Sequence, residues 1–383
     1  MDATKLSEFN VLYKEFIEKD SDLSYKKIDG AFHCFNDYVL VPVKAIEKSI
    51  DIDSVDDIEI FAPTGNLIGY LCPLASRENE YVISRLNEIR LYAFFVETLE
   101  SAQLSDRYSF INHYVGIELS YFSYYKTVMD TTEYWGGYTH KDLNPTNTRV
   151  VNGIQIQEGI KIPSTNHQES IVLAMHSSSS FERFLKYYHQ IELLFDSLFI
   201  SRLKNINSSD LKDYAPIIKE FNYGKKSELD SLKYIFRKYL VNYSVIVDRM
   251  KLVQNHSTIA NDMFYVLGKD SNPLKGEDEW NILIYLLSNN SFDLASSSTS
   301  QQHNGFTAKL ISKNSQDLLN ELIVNLCSYW IYRMRCCIAH NKIGEYIFSY
   351  NDEGFISEFG EHLLLEIIKD IFSNPILHAD INL

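Results

Sequence analysis

Apolar residues recur along this chain with two different periods. Over residues 3–19, Leu6, Phe9, Leu12, Tyr13 and Phe16 return at intervals of three and four, which predicts an opening helix. From about 37 to 72 the runs DYVLVPV, DIEIFAP and NLIGYLCPL are short, apolar and bounded by Pro, Gly and Asn, the pattern of strands. A helix is predicted over roughly 78–104. More strands are predicted in SFINHYVGIELSYFSYY and TRVVNGIQIQEGIKIP, where Asn152-Gly153 marks a hairpin turn. Beyond Pro163 the strand signal nearly vanishes. Residues 167–206 read as one or two helices broken at the serines of 177–180. In FERFLKYYHQIELLFDSLFISRL, residues Phe184, Tyr187, Tyr188, Ile191, Leu194, Phe195 and Leu198 form one apolar stripe. Further helices are expected near 208–221, 227–240, 243–254, 256–267, 278–288, 315–341 and 358–373. The polar stretch 289–306 reads as a mobile loop. The expected architecture is an α+β domain with a mostly antiparallel sheet over residues 1–165, then an all-α helical domain over 166–383, with no solenoid repeat.

Composition narrows the class. Of 383 residues, 45% are hydrophobic and 23% charged, enough apolar surface to offset chain entropy, so global disorder is excluded. Charge interrupts every apolar stretch well before about 18 residues, so no membrane partner or span is expected. The first sixteen residues carry acids and an amphipathic pattern, with neither the basic region nor the apolar run of a signal peptide. Cys34, Cys72, Cys327, Cys336 and Cys337 include no C-x-x-C pair, which argues against a zinc ribbon or a disulfide framework and points to a reducing cytoplasm.

The net charge of −15 excludes a general nucleic-acid binder, because phosphates are repelled at long range. The charge is uneven. Residues 1–165 hold 15 basic and 25 acidic side chains, whereas 201–251 hold 11 basic against 6 acidic. An anionic partner would meet this second stretch, unless it is simply a solvated helical face.

The segment that can carry chemistry is YWIYRMRCCIAHNKIGEY at 329–346. Arg335 and His340 stand as R-x4-H, followed by Asn341 and Lys342, while Arg333 and His340 stand as R-x6-H. This segment resembles the HEPN superfamily, whose ribonuclease members carry R-x4–6-H near the end of a helix; Cys336 departs from the polar residue usual after the arginine. FERFLKYYHQIELLFD likewise resembles the first helix of HEPN domains in anti-phage proteins of the ApeA-like kind. The resemblance covers about 170–375 and implies a HEPN-like bundle. Its expected activity is a metal-independent endoribonuclease of anti-phage defence or toxin type. It also implies a homodimer in which Arg335 and His340 of both copies line one cleft. RNA is the expected substrate, a phage trigger or an antitoxin the expected regulator. The alternative is a non-catalytic dimeric RNA- or protein-binding module.

The residue types suit that chemistry. Cleavage through the 2′-OH to a cyclic phosphate needs a proton carrier near neutral pH, which imidazole provides, and a fixed charge for the phosphate, which guanidinium provides. Asn341 can orient His340, and Lys342 can add charge. The resemblance makes Glu192 a candidate acid of the site. No metal or cofactor is expected, since the segment lacks a carboxylate cluster and His113, His140, His167 and His176 show no metal spacing. Five positions on an ideal helix turn a side chain by about 140°, so Arg335 and His340 do not share one helical face, whereas Arg333 and His340 nearly do. Tyr108, Tyr114, Tyr121, Tyr124 and Tyr125 crowd one region and read as packing in the amino-terminal sheet.

Overall fold

The computed structural model describes residues 3–47, 57–75, 80–101, 104–136, 139–142, 153–204, 210–220, 227–269, 271–340 and 343–381. Contacts divide the chain into two compact units, Met1–Gly159 and Ile160–Leu383.

The first unit is α/β with a mostly antiparallel sheet. Its strands are β1 Tyr25–Ile28, β2 Phe32–Phe35, β3 Tyr38–Val43, β4 Ala45–Ile46, β5 Ile58–Phe61, β6 Leu67–Cys72, β7 Tyr81–Val82, β8 Arg107–Tyr108, β9 His113–Glu118, β10 Tyr134–Trp135, β11 His140–Asp142 and β12 Gly153–Ile156. Eight of them form one sheet in the order β1-β2-β3-β9-β6-β5-β12-β11, in which only β5 and β12 run parallel. Its helices are α1 Ala3–Ile17, α2 Glu88–Glu97, α3 Leu119–Thr127 and α4 Met129–Thr132.

The alternation in YVLVPV explains the layering. Val39, Val41 and Val43 point to one face, where they pack with Phe122 and Tyr125 of α3. Leu40 points to the other, among Phe9 and Tyr13 of α1 and the apolar run 91–95 of α2. Pro42 is tolerated in this interior strand because β2 has already ended, its last partner there being Leu40. Gly116 of β9 admits α2: a Cβ there would lie 2.5 Å from Ile89 Cγ2. At the sheet's β1 edge, Lys26 and Lys27 are both exposed.

The structure corrects four local expectations in or beside this unit. The helix expected over 78–104 is confined to Glu88–Glu97, because Asn87 caps it by accepting the Arg90 N–H, and Tyr81–Val82 before it pairs with Arg107–Tyr108. LSYFSYYKT is helix, not strand. Its aromatics favour strands in isolation, but Leu119, Phe122 and Tyr125 recur every three residues and pack on the sheet. Tyr121, Tyr124 and Tyr125 are therefore helical. Gly153 opens strand β12 rather than a turn, since residues 154–156 pair with 140–142 and residues 153–155 with β5; Asn152 lies outside the described residues. Residues 160–163, at the start of the second unit, extend no sheet, and the Lys161 N–H is taken by the Phe372 carbonyl.

The second unit is helical. Its helices are α5 Thr165–His176, α6 Ser180–Lys204, α7 Ala215–Glu220, α8 Glu228–Tyr239, α9 Tyr243–Met250, α10 Ser257–Asn261, α11 Glu277–Ser288, α12 Leu294–Ser298, α13 Gln316–Ala339, α14 Glu353–Phe355, α15 Glu361–Phe372 and α16 Pro375–Asp380. The break at 177–180 separates α5 from α6 as expected. α13 is buried on nearly every side, which requires partners all round it. Trp330 stacks on Phe264 with ring centres 5.2 Å apart and meets Trp280 and Phe359 edge-on.

Residues 289–306 are not a structureless loop. They contain α12 and strand β13 Gln301–His303, which pairs with β14 Phe306–Ala308. Asn304 and Gly305, at φ 49° and 87°, make the two-residue turn that an Asn-Gly pair favours. His303 stacks on Tyr285 of α11 at 4.1 Å. Within the 201–251 stretch, Arg237, Lys238, Arg249 and Lys251 are ion-paired with Glu321, Asp380, Glu366 and Asp248. Those four cations are matched by acids within the fold rather than left bare. No helix among the described residues is long and apolar enough to cross a membrane.

Each unit buries a histidine whose Nε2 lacks a partner: His140, stacked on Trp135, and His167, whose Nδ1 meets Ser164 Oγ at 2.7 Å. Burial lowers His140 to about 3 and His167 to about 4. Between pH 6.5 and 4 the unfolded chain therefore binds more protons than the folded one, so stability is full above 6.5 and falls as pH drops. The His167 contribution reaches about 3 kcal/mol. We expect the thermal midpoint to fall between pH 7 and 5, and His167→Gln to flatten that dependence. A midpoint independent of pH in this window would contradict the burial of these rings.

Candidate functional site

The carboxyl half of α13 presents its two arginines to different surroundings. Arg333 and Arg335 are two residues apart, so they point about 160° away from each other around the helix. Arg333 is 1% exposed. Its Nη1 meets Glu345 Oε2 at 3.2 Å and its Nη2 donates to the Leu267 carbonyl at 3.0 Å. Glu345 is also paired with Lys269 at 2.9 Å, and Lys269 and Arg333 together hold its carboxyl below the usual range. Glu345 reaches this position after Gly344, whose φ of +90° suits only glycine well. Arg333 is thus a buried tie between α13, the residues after the helix and the turn at Leu267. The R-x6-H alternative places its arginine where a phosphate has no access.

Arg335 lies in the opposite setting. Its side chain is 23% exposed, its Nε is 3.2 Å from Glu228 Oε1, and its Nη2 is 3.6 Å from Glu192 Oε1. Its guanidinium carbon lies 5.7 Å from the centre of the Tyr188 ring, and the Tyr188 hydroxyl donates to Glu228. Three elements build this seat: α6 supplies Tyr188 and Glu192, α8 supplies Glu228, and α13 supplies Arg335. Burial opposes the charge on Arg335, but Glu228, Tyr188 and Glu192 outweigh it and strengthen the guanidinium's hold on its proton. Burial, then repulsion from Glu228, raises Glu192 above the usual carboxylate range, against the pull of Arg335.

His340 closes the helix. Its backbone N–H donates to the Cys336 carbonyl at 2.9 Å, and its own φ and ψ of −136° and 109° are extended. The chain leaves the helical path at this residue, so ideal helical rotation does not decide where the imidazole points. The ring is exposed. Asn341 and Lys342 lie outside the described residues.

Glu192 does meet Arg335. His189, half exposed, lies 3.6 Å from Glu192 on the same helix. Tyr346 packs edge-on against Phe348, and burial raises its hydroxyl to about 12. Sequence reasoning missed Glu228 and the role of Tyr188. Ser227-x-x-Asp230 is a readable helix start, and both halves of that capping box form, but no local pattern ties the residue after the cap to an arginine 107 positions later. Among the described residues no group of three or more His, Cys, Asp and Glu side chains is placed to hold a metal ion.

Comparison of the chain with family models, curated proteins and solved structures finds no significant match. The assembly itself is therefore what bears on chemistry: a guanidinium held by two carboxylates and a phenol ring, on a helix that ends in an exposed imidazole.

The two arginines should differ sharply when removed. Arg333→Ala empties a buried site, takes one of its two cations from Glu345 and the side-chain donor from the Leu267 carbonyl, and is expected to cost about 3 kcal/mol. Arg335→Ala breaks partly solvated pairs and is expected to cost about 1 kcal/mol or less. Urea unfolding followed by circular dichroism reads both; equal losses would overturn the assignment of Arg333 to structure and Arg335 to the site.

Proposed function

We propose that this chain is a metal-independent endoribonuclease of the HEPN type that the R-x4-H segment resembles, acting in anti-phage defence or as a toxin. The observation that carries this reading is the partly exposed guanidinium of Arg335, fixed in a polar seat on the same helix that His340 terminates. In the proposed reaction, the RNA 2′-OH attacks the adjacent phosphorus, the bond to the 5′ oxygen breaks, and a 2′,3′-cyclic phosphate and a 5′-OH are formed. His340 moves the proton, and Arg335 balances charge on the phosphate oxygens. Glu192 supports Arg335; Asn341 and Lys342 complete the proposed site. The amino-terminal unit is assigned a sensing or restraining role, since its charge of −10 over residues 1–165 disfavours RNA.

The proposed active form is a homodimer with both motifs in one cleft. Support comes from exposed apolar side chains close to His340 in the chain: Ile343 is wholly exposed, Tyr350 largely so and Ile347 half so. A second reading, a non-catalytic dimeric module that binds RNA or protein, draws on the two carboxylates that already neutralise Arg335.

Incubation with total RNA in EDTA separates the two. The nuclease reading expects fragments ending in cyclic phosphate, lost by roughly 10²-fold or more in His340→Ala and in Arg335→Ala, with thermal midpoints within about 4 °C of the wild type. Intact RNA with retained binding supports the module. Equal cleavage by the wild type and both variants, or a strictly monomeric protein by light scattering, sinks the nuclease reading.

A further inference from the structure

The two carboxylates at Arg335 are not equivalent. Glu192 is the more exposed at 38%, lies 3.6 Å from the guanidinium, and is shared with His189 on its own helix. Glu228 is closer at 3.2 Å and is itself held. Its Oε1 accepts the hydroxyl proton of Tyr188, a side chain with no solvent exposure. Its backbone is the first residue of α8, where the Ser227–Asp230 capping box fixes the helix start and the helix dipole favours a negative charge. A flexible surface carboxylate would follow the arginine, but one pinned by a buried phenol and a capped helix makes the arginine follow it.

The geometry points to Glu228 as the positioning residue for Arg335, with Tyr188 as its anchor; this rests on the proposed nuclease site and names a member of it that the motif does not contain. The contacts at Nε and Nη2 hold the guanidinium plane at two points, and the Tyr188 ring lies under its carbon. Three restraints of this kind set the plane before any phosphate arrives. Preorganisation matters here because a guanidinium binds phosphate oxygens through donors in a fixed fork, and a long side chain left free must be ordered at the expense of the transition state. Glu228 need not touch RNA, so it is not a catalytic residue. Its charge even disfavours an approaching phosphate, and this separates orientation from attraction in an experiment.

Glu228→Gln removes the charge that holds Arg335 while leaving a carbonyl to accept from Tyr188, so the fold is retained. Two readouts are taken on the full-length protein. The first is the rate at which phenylglyoxal modifies Arg335, followed by mass spectrometry, which needs no activity. Release of the guanidinium should raise it at least fivefold in Glu228→Gln, whereas Glu228→Asp, which keeps the charge, should stay within twofold of the wild type. The second is cleavage of a mixed-sequence RNA oligonucleotide in EDTA: kcat should fall at least tenfold in Glu228→Gln with KM unchanged or lower, and Glu228→Asp should recover part of kcat. Faster labelling without RNA cleavage by the wild type would defeat the nuclease reading and leave the positioning of Arg335 by Glu228 standing. Unchanged labelling in Glu228→Gln overturns the inference whatever the activity. So does an unchanged or increased kcat, because a surface pair leaves kcat alone and a gate that masks Arg335 raises it.

Discussion

The burial of α13 is the constraint on which the helical unit turns. A helix enclosed on nearly every side can carry a charge in only two ways. It can bring the partner inside with it, as Arg333 does with Glu345 and the Leu267 carbonyl, or it can place the charge where neighbouring helices leave a gap, as Arg335 does between α6 and α8. The helix stops at His340, beyond which the chain turns back through Gly344 to deliver Glu345 to Arg333. One helix therefore supplies the hydrophobic centre of the unit, a buried arginine held by a carboxylate, and both proposed reactive groups. Disturbing its packing would be felt at all three.

Electrostatics at Arg335 fits the acidity of the whole chain. A protein of net charge −15 gains no long-range steering of RNA, and Arg237 and Lys238 of α8 and Arg249 of α9 are already paired with neighbouring acids. Any hold on a phosphate must come from close contacts made by a few oriented donors. A guanidinium set by fixed carboxylates is built for short range: its field is cancelled a few ångströms away, while its donors remain strong at contact distance. Such a site would discriminate by shape and position rather than by charge density.

Much of the fold was legible in the sequence, and the failures have physical causes. Alternation in YVLVPV and the stripe on α6 were read because burial on one face leaves a period that survives in composition. LSYFSYYKT was misread because tyrosine and phenylalanine favour strands, yet Leu119, Phe122 and Tyr125 have the three-residue spacing that lets a helix lie on the sheet. The polar stretch 289–306 looked structureless because its apolar content is low. Its hairpin depends on Asn304-Gly305 and on one ring stacked against α11, a tertiary contact. At the site, Arg335 and His340 were visible as a spacing and Glu192 as a resemblance. Glu228 was not, because it reaches Arg335 only through the packing of α8 on α13, and the exclusion of Arg333 required knowing which side of the helix is enclosed.

One of the two edge strands of the amino-terminal sheet, β1, bears on how the protein behaves in company. A free strand margin is a template on which another polypeptide can continue the ladder, the first step of amyloid-like growth. Here the margin is β1, only four residues long, and its two central positions are the exposed Lys26 and Lys27, whose side chains leave on opposite faces. A newcomer aligning there would have to desolvate an ammonium group above and below the plane at once. Among the described residues, charge guards this margin, and neutralising the two lysines would remove that guard.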